Sequence, residues 1–135
     1  KNPLQAGCCV FSAGFTNSHI ELRIECMQIE IRDNKVYNAD TGEVAVLYSP
    51  GYGAGWYSWN TEYPDCIFDP DCVQAVLDDN SSRLGVIAKH KWPDGYWSPE
   101  DVDVCWLAPG TQFVIHEYDG SESIRYLDDI KYHTA

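Results

Sequence analysis

His116, Glu117, Asp119 and Glu122 lie close together in the stretch QFVIHEYDGSES. Carboxylates beside an imidazole can share proton donor and acceptor work when their surroundings separate their pKa values. The spacing argues against that use. In a strand His116 and Glu117 point to opposite faces, and Asp119-Gly120 is first of all a hairpin turn. No nucleophile and base stand in a recognisable motif, so no catalytic residue is assigned and no enzyme activity is expected. The Cys and His positions show neither Cys-x-x-Cys nor His-x-x-x-His spacing, so no metal and no cofactor is expected. Cys8 and Cys9 are adjacent, Cys26 and Cys105 sit in strand-like runs, and Cys66 and Cys72 flank a helix start. Buried free thiols fit that pattern better than a disulfide framework.

Residues 48–60, YSPGYGAGWYSWN, hold three Tyr, two Trp and three Gly and no charge. The Gly-Tyr-Gly-Ala-Gly run could cradle a phosphate with backbone N–H groups. It lacks the Gly-Lys-Ser/Thr of a phosphate-binding loop, so a turn needing positive φ is the simpler reading. Trp56 and Trp59 read as core; Tyr52 and Tyr57, beside glycines, read as exposed interface rings. With Gly53 and Gly55 they form the candidate binding set. Trp92, Tyr96 and Trp97 cluster around the turn at residues 93–95 and join that set if the two clusters meet in space.

Asp and Glu number 21 against 9 Lys and Arg, a formal charge of −12. Such a surface repels phosphate backbones and anionic lipid, so neither nucleic acid nor membrane is an expected partner. The apolar runs also fall far short of the roughly 20 residues a spanning helix needs. Asp65, Asp69, Asp71, Asp78 and Asp79, continued by Glu100, Asp101 and Asp103, read as an acidic surface. It would imitate nucleic-acid phosphates and suit a basic groove on a protein partner.

The elements that must position these residues follow from periodicity. Ile20, Leu22 and Ile24 alternate with polar neighbours, as in a half-buried strand. Residues 28–49 read as a three-stranded meander with turns at residues 33–34 and 40–42. Pro50 ends the third strand. Asp69 as N-cap and Pro70 at the first helical position start a helix. Ser81 or Ser82 would cap a second one. Strands over residues 102–108 and 112–118, and one or two more beyond the Asp119-Gly120 turn, complete the chain. The expected fold is α+β: an antiparallel sheet of about five to seven strands with one or two short helices on one face. Lys1 and Arg23 balance Glu21 and Glu25, so the whole −12 falls in residues 27–135. With Met27 the only Met, we expect residues 27–135 to form one domain and residues 1–26 to be an N-terminal extension.

The blocks SPGYGAGWYSWN and APGTQFVIHEYDGSESI resemble a family of small, mostly uncharacterised proteins of tailed bacteriophages. Its members carry a Gly-aromatic-Gly-Ala-Gly-Trp-Ser-x-Trp loop and a later Gly-Thr-x-Phe-x-Ile-x-Glu-Tyr-Asp-Gly-Ser-Glu block. The resemblance runs from about residue 27 to residue 129. Tyr57 departs from it where a small Ser or Thr is expected, and Val114 where a basic residue is expected. The resemblance implies a phage-encoded protein acting in the host bacterial cytoplasm. Joined to the charge, it suggests an accessory protein that binds and inhibits a host protein with a basic surface, such as a defence complex. A sponge for a small nucleotide signal through an aromatic pocket, and a virion or assembly component, remain open. Sheet edges and rings also suit a homodimer.

Overall fold

The structure is a computed structural model that describes residues 4–16, 19–53 and 55–135, with side-chain surroundings from residue 27 onward. The fold is α+β, as expected. Strands β1 (Leu4–Thr16), β2 (His19–Arg32), β3 (Lys35–Asn38), β4 (Val44–Tyr48) and β5 (Asp103–Leu107) form one antiparallel sheet in the order β1-β2-β3-β4-β5. Strands β6 (Phe113–Tyr118) and β7 (Ser121–Tyr126) form a separate two-stranded sheet rather than extending the first. A short 3-10 turn (Leu127–Asp129) follows β7, so the last segment supplies one strand and no second. The predicted thiols Cys8, Cys9 and Cys26 and the alternating side chains of residues 20–24 lie outside the described side chains.

Local sequence explains the turns. Asp33 and Asn34 (φ 52° and 59°) join β2 to β3, and Asp119 and Gly120 (φ 54° and 83°) join β6 to β7. Positive φ at both central residues makes two-residue hairpins that match strand twist, and Asp, Asn and Gly tolerate it best.

Helices α1 (Pro70–Leu77) and α2 (Ser81–Lys91) lie between β4 and β5 in sequence. α1 starts as read: the Asp69 carboxylate accepts from the Cys72 N–H at 3.0 Å, with Pro70 following. α2 is capped one residue earlier than expected, because Asp79 ends α1 at φ 54° and leaves Asn80 to accept from the Arg83 N–H at 3.0 Å. Lys89, His90 and Lys91 fill the last turn of α2, where the helix dipole favours cations.

The core joins Ile29, Val36, Ala45, Val46, Leu47 and Leu107 of the sheet to Val73 and Ala75 of α1 and Leu84 and Ala88 of α2. Four successive residues of β4, Val44 to Leu47, are buried, so both faces of that strand are covered. α1, the 3-10 turn Pro64–Ile67 and β7 all reach it. No helix among the described residues is long and apolar enough to cross a membrane.

Cys66 and Cys72 are fully buried free thiols in this core, and Cys105 is half-buried and free. Burial first, then nearby carboxylates (Glu122, Asp65 and Asp69 for Cys66, Asp69 for Cys72), push the two buried thiols far above their ordinary range. Above about pH 8.5 the unfolded chain therefore releases two protons that the folded chain keeps. Stability should fall by about 1.4 kcal/mol per pH unit for each thiol across that alkaline range. Urea midpoints at neutral and alkaline pH test this; a Cys66→Ala/Cys72→Ala variant should show a shallower decline. An equal slope in the two proteins would refute the assignment.

Candidate functional site

The glycine-aromatic loop is built around an anion that the chain supplies itself. Glu122, near the start of β7, is 2 % exposed. One of its carboxylate oxygens, Oε1, accepts from the Ser49 N–H at 2.9 Å. The other, Oε2, accepts from Trp56 N–H (2.8 Å), Ser58 N–H (2.7 Å) and Ser58 Oγ–H (2.6 Å). The Glu122 N–H donates back to Ser49 O at 2.7 Å. A buried carboxylate is tolerable only when such donors replace its water. The donors Ser49, Trp56 and Ser58 flank the Gly-Tyr-Gly-Ala-Gly run rather than belong to it, so the anion held here is the chain's own and the described N–H groups of that run do not cradle it.

Glycine is required at two points of this contact. A Cβ on Gly55 would lie 2.8 Å from Glu122 Oε2 and overlap Ser58 Oγ. A Cβ on Gly120 would collide with the backbone oxygen of Gly53, whose N–H donates to Asp119 O at 3.2 Å. The Ser121 hydroxyl donates to Pro50 O at 2.8 Å and closes the same seam. Loop 48–60 and the β6–β7 hairpin are therefore one fitted unit.

A second clamp ties the loop to the turn after α2. The Asn60 amide is buried; its Nδ2 donates to Trp56 O and Tyr96 O, both at 2.7 Å. Its Oδ1 accepts from the Tyr96 N–H at 2.7 Å. The two aromatic clusters consequently meet. Trp56 lies 4.7 Å from Trp97 between ring centroids, and Trp59 stacks on Tyr96 at 5.4 Å. Trp92 and Tyr63 complete the cluster against Trp97. Burial, with Asp94 and Glu62 nearby, raises the Tyr63 phenol above its ordinary pKa.

Expectations about several individual residues change. Trp59 is not core: it is 48 % exposed, stacked on an exposed Tyr96. Tyr57 is not free surface but half-buried against the core. Trp56 is fully buried and Gly55 is buried, so neither presents a contact surface, whereas Tyr52 (74 % exposed) and Gly53 do. Trp92 and Trp97 are half-buried. Asp69, read as surface acid, is buried because the N-cap packs beneath α1, and Lys91 pairs with it at 2.7 Å and with Asp71 at 2.9 Å. Burial opposes the Lys91 charge, but these carboxylates outweigh it and raise the ammonium above its ordinary pKa.

Asp65, Asp71, Asp78, Asp79, Glu100, Asp101 and Asp103 are exposed. Asp78 pairs with Arg83, and Asp71 with Lys91. The other five enter no ion pair among the described residues. His116 and Glu117 are exposed, and the Glu117 carboxylate accepts from the Gly120 N–H at 2.6 Å within the hairpin turn. With Glu122 turned into the loop, the four proton-handling residues do not face a common cavity. Among the described residues no three His, Cys, Asp or Glu side chains gather as a metal site.

Sequence reasoning missed Glu122, Asn60, Ser49 and Ser58 as the groups that hold the site. The available signal was indirect: a glycine-rich loop with bare N–H groups, and a Ser-Glu pair just past a tight turn. Comparison of the chain with family models, with curated proteins and with solved structures finds no match.

Proposed function

We propose that this chain is a phage-encoded docking module without catalytic activity. In the host bacterial cytoplasm it covers a basic surface of a host protein, of the kind a nucleic-acid-handling defence complex presents. The observation that supports this reading is the set of exposed carboxylates at Asp65, Asp79, Glu100, Asp101 and Asp103, none of which enters an ion pair among the described residues. Uncompensated charge of one sign steers association with an opposite surface and disfavours other partners. The exposed Tyr52, Trp59 and Tyr96 rings add the large, amphipathic contacts that dominate interface energetics. Trp59 and Tyr96 stack on each other, and Asn60 holds the Tyr96 backbone, so less side-chain entropy is lost on binding than for free rings.

The test is capture of host proteins on the immobilised chain at low and high salt, compared with an Asp101→Lys/Asp103→Lys variant. A specific partner should be retained at low salt, lost at high salt, and lost from the charge-reversed variant. Retention indifferent to both salt and charge reversal would overturn the electrostatic reading.

A further inference from the structure

The chain's grooves differ in charge. One runs past Glu43, Asp128 and Asp129, and another past Asp79 and Glu100. The groove between α2 and the turn at residues 95–97 is lined by no carboxylate. Ser82, Val86, Lys89 and His90 line one side, successive turns of a single helix face, and Tyr96 and Trp97 line the other. Neither Lys89 nor His90 enters an ion pair among the described residues, and both are exposed. Two further grooves also lack a carboxylate, but this one alone among those described sets a Lys and a His against a Trp, with both polar residues in the last turn of α2.

Its aromatic side is fixed before anything binds. The Tyr96 backbone is held at both polar atoms by Asn60, and Trp59 stacks on its ring. Trp97 donates its indole N–H to Trp92 O at 2.8 Å. A Cβ on Gly95 would lie 2.5 Å from the Trp97 ring, so the absence of a side chain there is what lets the indole fold against the turn. The groove has a volume of about 810 Å³, within the range of small-ligand sites. We propose that it binds a planar anionic ligand of the mononucleotide kind, with the base against Tyr96 and Trp97 and the phosphate against Lys89 and His90. Rings held in advance stack on a base at low entropic cost, and stacking tolerates any base identity. The Lys89 ammonium supplies the charge-assisted contact that a phosphate needs, and the His90 imidazole adds a hydrogen-bond donor.

This site shares Tyr96 with the docking reading but rests on Lys89, His90 and Trp97 besides, and nucleotide titration and partner capture are separate readouts, so either can fail without the other. Adenosine 5′-monophosphate, adenosine and inorganic phosphate are the ligands to titrate, followed by calorimetry and tryptophan fluorescence. The nucleotide should bind more tightly than adenosine, and inorganic phosphate should give no saturable binding. Lys89→Gln and Tyr96→Ala should each weaken the nucleotide by about 5- to 100-fold, while Lys131→Gln leaves it unchanged. Both altered side chains are exposed, so the variants should stay folded. No nucleotide binding at millimolar concentration would overturn the proposal, as would equal binding by all the variants. Saturable binding of an acidic aromatic peptide with none of the nucleotide would overturn it in favour of a peptide groove.

Discussion

Glu122→Ala should lower the stability of the fold by about 4 kcal/mol or more, read as the shift in a urea unfolding curve. The substitution strands three buried or half-buried backbone donors, Ser49, Trp56 and Ser58, together with the Ser58 hydroxyl. An unsatisfied buried donor costs about 1–3 kcal/mol, and more where the lost partner was charged. The losses do not add in full, because water can follow the alanine into the seam. Glu122→Gln separates charge from shape. Its amide keeps one acceptor oxygen but turns an N–H group toward a backbone N–H whichever way it lies. We expect it to cost about 2–3 kcal/mol. A glutamine variant as stable as the parent would show that the carboxylate charge is unimportant. An alanine variant within about 1 kcal/mol would show that the seam is not closed by these bonds.

The elements with local signals were legible in the sequence. Asp33-Asn34 and Asp119-Gly120 announce tight hairpins because so few residues accept positive φ. Asp69-Pro70 announces α1 because capping chemistry is settled within a single turn. Glu122 carried no comparable signal. Its donors lie 64 to 73 positions earlier, and nothing beside Glu122 in the chain distinguishes a buried carboxylate from a solvated turn residue. The same distance in sequence hid the Asn60–Tyr96 clamp, which spans 36 positions. Asp69 was misread for a related reason. The N-cap role was visible, but its ion-pair partner Lys91 lies 22 positions later at the end of α2, out of reach of any local signal.

The two sequence blocks behind the phage resemblance are joined physically. Glu122 belongs to the later block and its donors Trp56 and Ser58 to the earlier one. Gly55 serves close approach to that carboxylate, and Gly120 of the hairpin serves close approach to the loop backbone at Gly53. A loop so fixed on two sides holds Trp59 in a set position against Tyr96 of the turn after α2. The residues that hold the loop, Glu122, Asn60 and Ser58, therefore differ from those that face outward, Tyr52 and Trp59.

Trp56→Ala and Trp59→Ala should separate those two roles. Trp56 is fully buried, packs against Trp97, and donates its indole N–H to Cys66 O at 2.9 Å. Its truncation should cost about 3–5 kcal/mol, since the rigid surroundings cannot close the space. Trp56→Phe keeps most of the apolar contact and loses the hydrogen bond, for about 1–2 kcal/mol. Trp59 is half exposed and stacks on one ring, so its truncation should cost about 1 kcal/mol or less. In the capture assay Trp59→Ala should lose the partner while remaining folded. Trp56→Phe, less stable but still folded, should retain it. If Trp59→Ala binds as well as the parent, the stacked pair is not the docking surface, and the exposed rings serve only to cover the core.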